Sequence, residues 1–417
     1  MIFAARSRQL GLLSALGLCV AVFVAARLYH AEDAPFSPRD DGQVLDHIPA
    51  GQGADPVADE VRWLEAQLAQ QPGNLILADK VARRHIEAAR RTGDARRLAY
   101  AETALAPWWN QPSPPLPALL LRATIKQARH ELEAALVALD AATAIGQGTA
   151  LDAEAWRMRA AVLTVLARYQ EARSSCASLH GKTSELVEAT CTAAIDGITG
   201  RGQSARARLA ALIGAPGSAA EESTRALSVR GEIALYAGDA AAAERDLRAA
   251  LAGNAGDLPA RSLLADLLLD GDRPIEVLAL IPTDEVNPVL LLRRAIAAAR
   301  VHAPDAGSLH AALRRHADEL RARGDTTFAR EEARLLFALE HDEAAALPIA
   351  AANFHRQSEP WDARLLLEIA AAHARDPQVR LAALDAAAPA QRWLAQSQCS
   401  WPPVARAAAI LAGMKRP

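Results

Sequence analysis

The stretch LSVRGEIALYAGDAAAAERDLRAA, Leu227–Ala250, carries the pattern on which the fold reading turns. One run of helix formers stops at Gly238 and a second starts at Asp239. Glycine enters positive φ without steric cost and so ends a helix. The next helix opens with unpaired amide N–H groups. An aspartate carboxylate accepts from them and suits the positive end of the helix dipole. Gly93-Asp94, Gly271-Asp272 and Gly324-Asp325 interrupt similar Ala/Leu/Arg-rich patterns. Four such steps between amphipathic helices point to a repeated helical hairpin.

A second stretch, Trp156–Leu179, shares the offsets of Leu227–Ala250. Each has a large apolar residue (Trp156, Leu227), a small one at +4 (Ala160, Gly231) and another at +16 (Ala172, Ala243). Apolar or small residues follow at +20 and +23. Ala123, Ala160, Ala193, Gly231 and Ala265 occupy the same point at spacings of 37, 33, 38 and 34 residues. Small residues there let two helices cross closely, while large ones fill the groove to the next hairpin. The spacings cluster near the ~34-residue period of one known helical repeat.

These features resemble the tetratricopeptide repeat family over most of Leu75 to Asp376, with degenerate units at both ends. The chain departs from the family in Arg159-Ala160 and Arg230-Gly231, which stand where Leu-Gly is usual, and in mostly lacking the closing proline. From Ala265 to the next match near Ala317 the gap is 52 residues, so an extra or long helix is expected in Val289–Arg323. The leader, the degenerate array and Leu105-Ala-Pro-Trp-Trp109 are similar to exported or membrane-anchored tetratricopeptide proteins of Gram-negative bacteria. The resemblance implies an all-α solenoid of hairpins that binds a partner protein or peptide on its concave face and has no enzymatic activity. A structural or assembly subunit of an envelope complex, serving secretion, transport or cell-wall machinery, is the alternative.

Composition agrees with an all-α chain. Of 417 residues 51% are hydrophobic but only 4% aromatic, and alanine, the best helix former, dominates. Period-two β-branched runs are nearly absent after residue 60. The 46 basic and 49 acidic residues are interspersed, and the absence of a basic block argues against nucleic acid. The excess of Arg over Lys fits the composition of a GC-rich bacterium.

Arg6 and Arg8 precede an uncharged stretch from Leu10 to Ala26. A basic head before an apolar core reads as an export signal. Residues 1–9 are then a cytoplasmic head, 10–26 a signal peptide or single-pass anchor, and 27–56 a Pro/Gly-rich flexible linker. Residues 57–400 form the array, irregular near 282–325, and 401–417 a C-terminal cap. The body is expected in the periplasm, anchored on the inner membrane or soluble after cleavage. Cys19 reads as an apolar residue of the leading stretch. Cys176 and Cys191, fifteen apart across the Ser178–Ser184 turn, are expected to form a disulfide or, failing that, to be two small buried residues. Cys399 has no obvious mate.

Candidate binding features are few. Trp108 and Trp109 head a proline-rich turn, as a peptide ledge or as a plug between units. Trp361, Trp393 and Trp401 are expected to close the last repeat. The resemblance implies an inner groove, where Arg122, Arg157, Arg159, Arg230, Arg261, Arg293 and Arg294 would meet an acidic peptide. The histidines are scattered without metal-ligand spacing, and no G-x-S-x-G or G-x-G-x-x-G occurs. No catalytic residue, metal, cofactor or small-molecule substrate is expected.

Overall fold

The computed structural model describes residues 56–414 except Ala150 and Pro216, so the leading stretch 10–26 and most of the linker lie outside the described residues. Among the described residues there is no strand. The helices are α1 (Pro56–Gln70), α2 (Leu75–Thr92), α3 (Arg96–Ala104), the short α4 (Ala106–Trp109), α5 (Leu116–Ala128), α6 (Leu132–Ile145) and α7 (Asp152–Val165). Next come α8 (Tyr169–Ala177), α9 (Glu185–Ile198), α10 (Gly202–Leu212), α11 (Ala220–Tyr236), α12 (Ala240–Gly253), α13 (Leu258–Asp270) and α14 (Pro274–Leu280). The last are α15 (Pro288–Arg300), α16 (Ala306–Ala322), α17 (Ala329–Leu335), α18 (Glu343–Arg356), α19 (Pro360–His373), α20 (Arg380–Ser397) and α21 (Pro402–Gly413), with a π-helical turn at Leu336–Glu340 after α17. None of these is long and apolar enough to cross a membrane. The chain divides into two compact units, and the account below concerns Ala54–Arg315 with Thr326–Pro417. Of the other unit only His316–Asp325 is described: it holds the end of α16 and the turn at Gly324 (φ 68°).

Five hairpins, α5/α6 through α13/α14, share one register. The small residues Ala123, Ala160, Ala193, Gly231 and Ala265 are all buried. Seven positions after each, the chain turns through the left-handed region at His130 (φ 58°), Ala167 (56°), Gly200 (76°), Gly238 (77°) and Asp272 (53°). Twelve positions after each lies a buried Ala135, Ala172, Ala205, Ala243 or Val277. Sixteen positions after each lies a wholly buried Leu139, Cys176, Leu209, Leu247 or Ile281. Burying one such large side chain contributes roughly 1.5–3 kcal/mol. The crossing is tight: a Cβ on Gly231 would lie 2.9 Å from Leu247 Cγ and 3.2 Å from its backbone nitrogen.

The Gly-Asp steps do not all act alike. Asp239 caps α12 by accepting from Ala242 N at 3.1 Å, and Asp94 accepts from Arg96 N at 3.1 Å. At Gly271-Asp272 the roles are exchanged, with glycine at φ −85° and the aspartate itself left-handed at 53°. A short polar side chain that bonds locally tolerates that region. After Gly324 no helix starts at Asp325; the next begins at Ala329. Where an extra or long helix was expected in Val289–Arg323, the chain forms two helices, α15 and α16, parted at 301–305. The 52-residue gap closes at buried Ala298, 33 residues after Ala265. The proline at 304 marks that break in the sequence.

Cys176 and Cys191 are bonded, with Cα atoms 5.6 Å apart, which ties α8 to α9. Cys399 is buried.

The C-terminal helices pack back onto the turn ends of the hairpins. Ser358 N donates to Val165 O at 2.8 Å. Trp393 Nε1 donates to the Tyr169 hydroxyl at 2.8 Å. Gln398 lies against Gly200 and Pro402 against Gly238, where a Cβ on either glycine would come within 2.9 Å of the neighbour. Trp401, 1% exposed, sits with its ring 5.4 Å from that of Tyr236. Farther up the chain, Asn287 Nδ2 donates to Arg90 O at 2.8 Å, and Pro288 covers Gly93. Val165 and Arg90 lie in the last turns of their helices, where carbonyls lack partners within the helix. Distant segments therefore satisfy helix ends. The tryptophans expected to close the last repeat also reach back to the second and fourth of the in-register hairpins.

Two substitutions test the register with opposite signs. Gly231→Val overpacks the α11/α12 crossing and should destabilise by about 1–3 kcal/mol. Ala167→Gly relieves a left-handed alanine and should stabilise by about 1 kcal/mol. Urea unfolding midpoints of the two variants, read beside the unaltered chain, check both.

Candidate binding cavity

Helix α13 is apolar all round, and Leu263, Leu264, Ala265, Leu267, Leu268 and Leu269 are buried. One charge interrupts this run: Asp266, 1% exposed. A buried carboxylate needs compensation. Arg293 of α15 supplies it through Nη2 at 2.9 Å and Nε at 3.2 Å. Arg334 of α17 brings Nη1 to 2.6 Å of Asp266 Oδ1, an ion-pair contact without hydrogen-bond alignment. Burial pushes the Asp266 carboxyl upward, but Arg293 and Arg334 outweigh it and hold it below the usual range.

Three further arginines surround this core. Arg294 follows Arg293 and donates to the Leu278 and Ile281 carbonyls at 3.2 and 2.7 Å, satisfying the end of α14. Arg330 forks onto Asp362, with Nε at 2.6 Å from Oδ1 and Nη2 at 2.7 Å from Oδ2, and also binds Glu359. Asp362 accepts in addition from Asn353 Nδ2 at 2.6 Å and from the Glu359 backbone at 3.3 Å, the latter closing the capping box of α19. Burial pushes Asp362 up to about 6, against the pull of Arg330 and with a further push from Glu359 and Glu331. Arg364 spans from α19 to Asp270 at 2.6 and 2.7 Å. Its guanidinium lies 5.0 Å from the Trp361 ring centroid and 5.1 Å from that of Trp401.

These groups enclose a cavity of about 150 Å³, bounded by α13, α15, α17, the π turn and α19. Among its lining residues are Arg293, Arg300, Glu331, Arg334, Phe337 and Trp361. The π turn puts one extra residue into the helix ladder, and such turns recur at functional sites. The lining offers cationic donors, carboxylate acceptors and an aromatic wall. Among the described residues no cluster of His, Cys, Asp or Glu is arranged to hold a metal ion.

The residues singled out from sequence are distributed and are not gathered at one place. Trp108 is buried in the N-terminal core with Leu105, and Arg122 donates to its carbonyl at 2.7 Å. Arg122 and Lys126 lie 5.8 and 5.6 Å from the Trp109 ring. Arg159 bonds Asp140 and Ser175 at 2.7 Å each. Arg230 forks onto Asp246 at 2.7 Å twice. Both arginines directly precede the small crossing residue and pin the two helices of their own hairpin together. Arg261 meets Glu285 at 3.3 Å and the Ala255 carbonyl. Arg157 remains exposed. Sequence reasoning placed Arg293 and Trp361 in other roles and passed over Arg330, Glu331, Arg334 and Arg364. The available signal was a charge inside an otherwise apolar helix, as in LLADLLL (263–269) and VLLLRRAIAAA (289–299).

No protein-family model matches the chain, and no curated protein matches it. Among solved structures the chain is similar to a tetratricopeptide repeat protein from Parabacteroides merdae, at 18% identity and a TM-score of 0.33, covering 60% of this chain and 97% of that one. It is also similar to the TPR domain of P58(IPK), at 17% identity and a TM-score of 0.21, covering 80% of this chain and 99% of that one. The described residues form an all-α array of helical hairpins, five of them in one shared register.

The Asp362 geometry sets a pH dependence. A carboxyl raised from 3.8 to about 6 takes up a proton in the folded state before the unfolded one does. Its contribution to stability is therefore larger below that window and is lost as pH rises through about 6. The stability of the unaltered chain minus that of Asp362→Asn should grow by about 1 kcal/mol from pH 7 to pH 5. Paired denaturation curves at the two pH values measure it.

Proposed function

We propose that this chain is a non-enzymatic interaction scaffold of the bacterial envelope. Its leading apolar stretch exports or anchors it, its body faces the periplasm, and the concave face of the array binds a partner protein or peptide. The observation that carries this reading is the shared register of five hairpins. Each unit spends its small and large apolar residues on its own crossing and leaves its outward positions free for contact. Such a framework presents an extended surface suited to a chain segment. The bonded Cys176–Cys191 pair supports an oxidising compartment, since reduced thiols are the rule in the cytosol. The paired arginines Arg159, Arg230 and Arg261 act first as internal pins, which leaves exposed Arg157 as the basic residue best placed to meet an acidic partner.

Crosslinking with mass spectrometry in native membranes tests the reading. The expected result is one reproducible partner crosslinked to residues between 75 and 376. Recovery of the mature chain from the cytosolic fraction, with both cysteines open to alkylation before reduction, would overturn it.

A further inference from the structure

The cavity between α13, α15, α17 and α19 holds groups whose partners inside the chain are accounted for and others that are left over. Arg330 is taken by Asp362 and Glu359, and Arg364 by Asp270 and Glu368. Arg293 is taken by Asp266 and by the Val289 carbonyl at 2.8 Å. Glu331 differs. It is 8% exposed and lines the cavity, yet it accepts no hydrogen bond among the described residues. Its nearest cation, Arg293 Nη1, is 3.9 Å away, beyond hydrogen-bond reach. Arg334 stands one turn along the same helix and is not paired with Glu331. Among the described residues its one charged contact is Asp266, through Nη1, so Nε and Nη2 make no hydrogen bond there. Arg300 uses one nitrogen on the Leu269 carbonyl at 2.5 Å and keeps other donors at the cavity. Trp361 Nε1 is also without a partner.

A carboxylate on a largely buried side chain and a half-used guanidinium beside it depend for their hydrogen bonds on whatever fills the cavity. One ligand satisfies both only if it brings a cationic donor and an anionic acceptor a few atoms apart. The remaining wall is apolar: Leu269, Ile296, Phe337 and Leu365. A cavity of about 150 Å³ is the size that accepts benzene in an apolar site, so the ligand is small.

We infer that this cavity binds a free α-amino acid with an apolar side chain, its ammonium on Glu331, its carboxylate on Arg334 and Arg300, and its side chain against Phe337 and Trp361. Fixed charges of both signs orient the zwitterion, and the aromatic wall selects against polar side chains. The inference stands apart from the scaffold reading, which concerns the outer surface of the hairpins.

Isothermal titration of the purified full chain compares three probes: L-leucine, 4-methylpentanoate, which lacks the amine, and 3-methylbutylamine, which lacks the carboxylate. L-Leucine should saturate one site per chain, with each half-analogue at least tenfold weaker. Glu331→Gln should lose at least tenfold in L-leucine affinity while leaving 4-methylpentanoate unchanged. The comparison of probes on the unaltered chain needs no variant to fold. Equal binding of L-leucine and 4-methylpentanoate, or no saturable heat from L-leucine at millimolar concentration, would overturn the assignment.

Discussion

The close crossing of two helices at one small residue is the constraint on which the rest depends. At Gly231 there is no room for a Cβ beside Leu247, and the same position is buried alanine in the other four units. Close approach sets how far each helix can run before it must turn. The left-handed residue therefore falls at a constant seven positions beyond. Only Gly200 and Gly238 meet that turn without steric cost; His130, Ala167 and Asp272 adopt it because the crossing on one side and the buried apolar pair on the other over-determine it. The turn is thus imposed by packing more than by local preference.

That regularity exposes a row of helix ends, and the chain uses its own later segments to cover them. Ser358 satisfies a carbonyl at the end of α7, while Gln398 and Pro402 seat on glycines that have no side chain to obstruct them. Trp393 and Trp401 contribute large buried area at the same junction, one to Tyr169 and the other to Tyr236. An array whose units touched only their sequence neighbours would unfold in pieces. Contacts between residues far apart in sequence join the α7–α11 hairpins to the C-terminal helices.

The buried charges lie in α13, α15 and α17, next to Arg364, whose guanidinium is 5.1 Å from the Trp401 ring. Asp266, Arg293 and Arg334 come from three helices, and removing Asp266 leaves two guanidinium groups without their shared carboxylate in an apolar interior. Such clusters add less to stability than hydrophobic packing of the same volume. What they provide is a unique alignment of helices and a polar lining within reach of small molecules. Arg364, set against two tryptophans and forked onto Asp270, fixes α19 against the end of α13 and so shapes the cavity wall.

From its sequence this chain could be read as an all-helical hairpin array with a small residue at each crossing, because composition, glycine placement and a spacing near 34 residues are local or periodic properties. The Cys176–Cys191 pairing was legible for the same reason, being a contact between consecutive helices. The cavity was not. Asp266 and Arg293 stand out as charges in apolar runs, but nothing local says that Arg334 meets the first or that Glu331 accepts no hydrogen bond among the described residues. Those outcomes follow from which helices become neighbours after the C-terminal segment folds back. That choice is made by long-range packing of Trp393, Trp401, Pro402 and Gln398 onto the hairpin turns, and no periodicity along the chain encodes it.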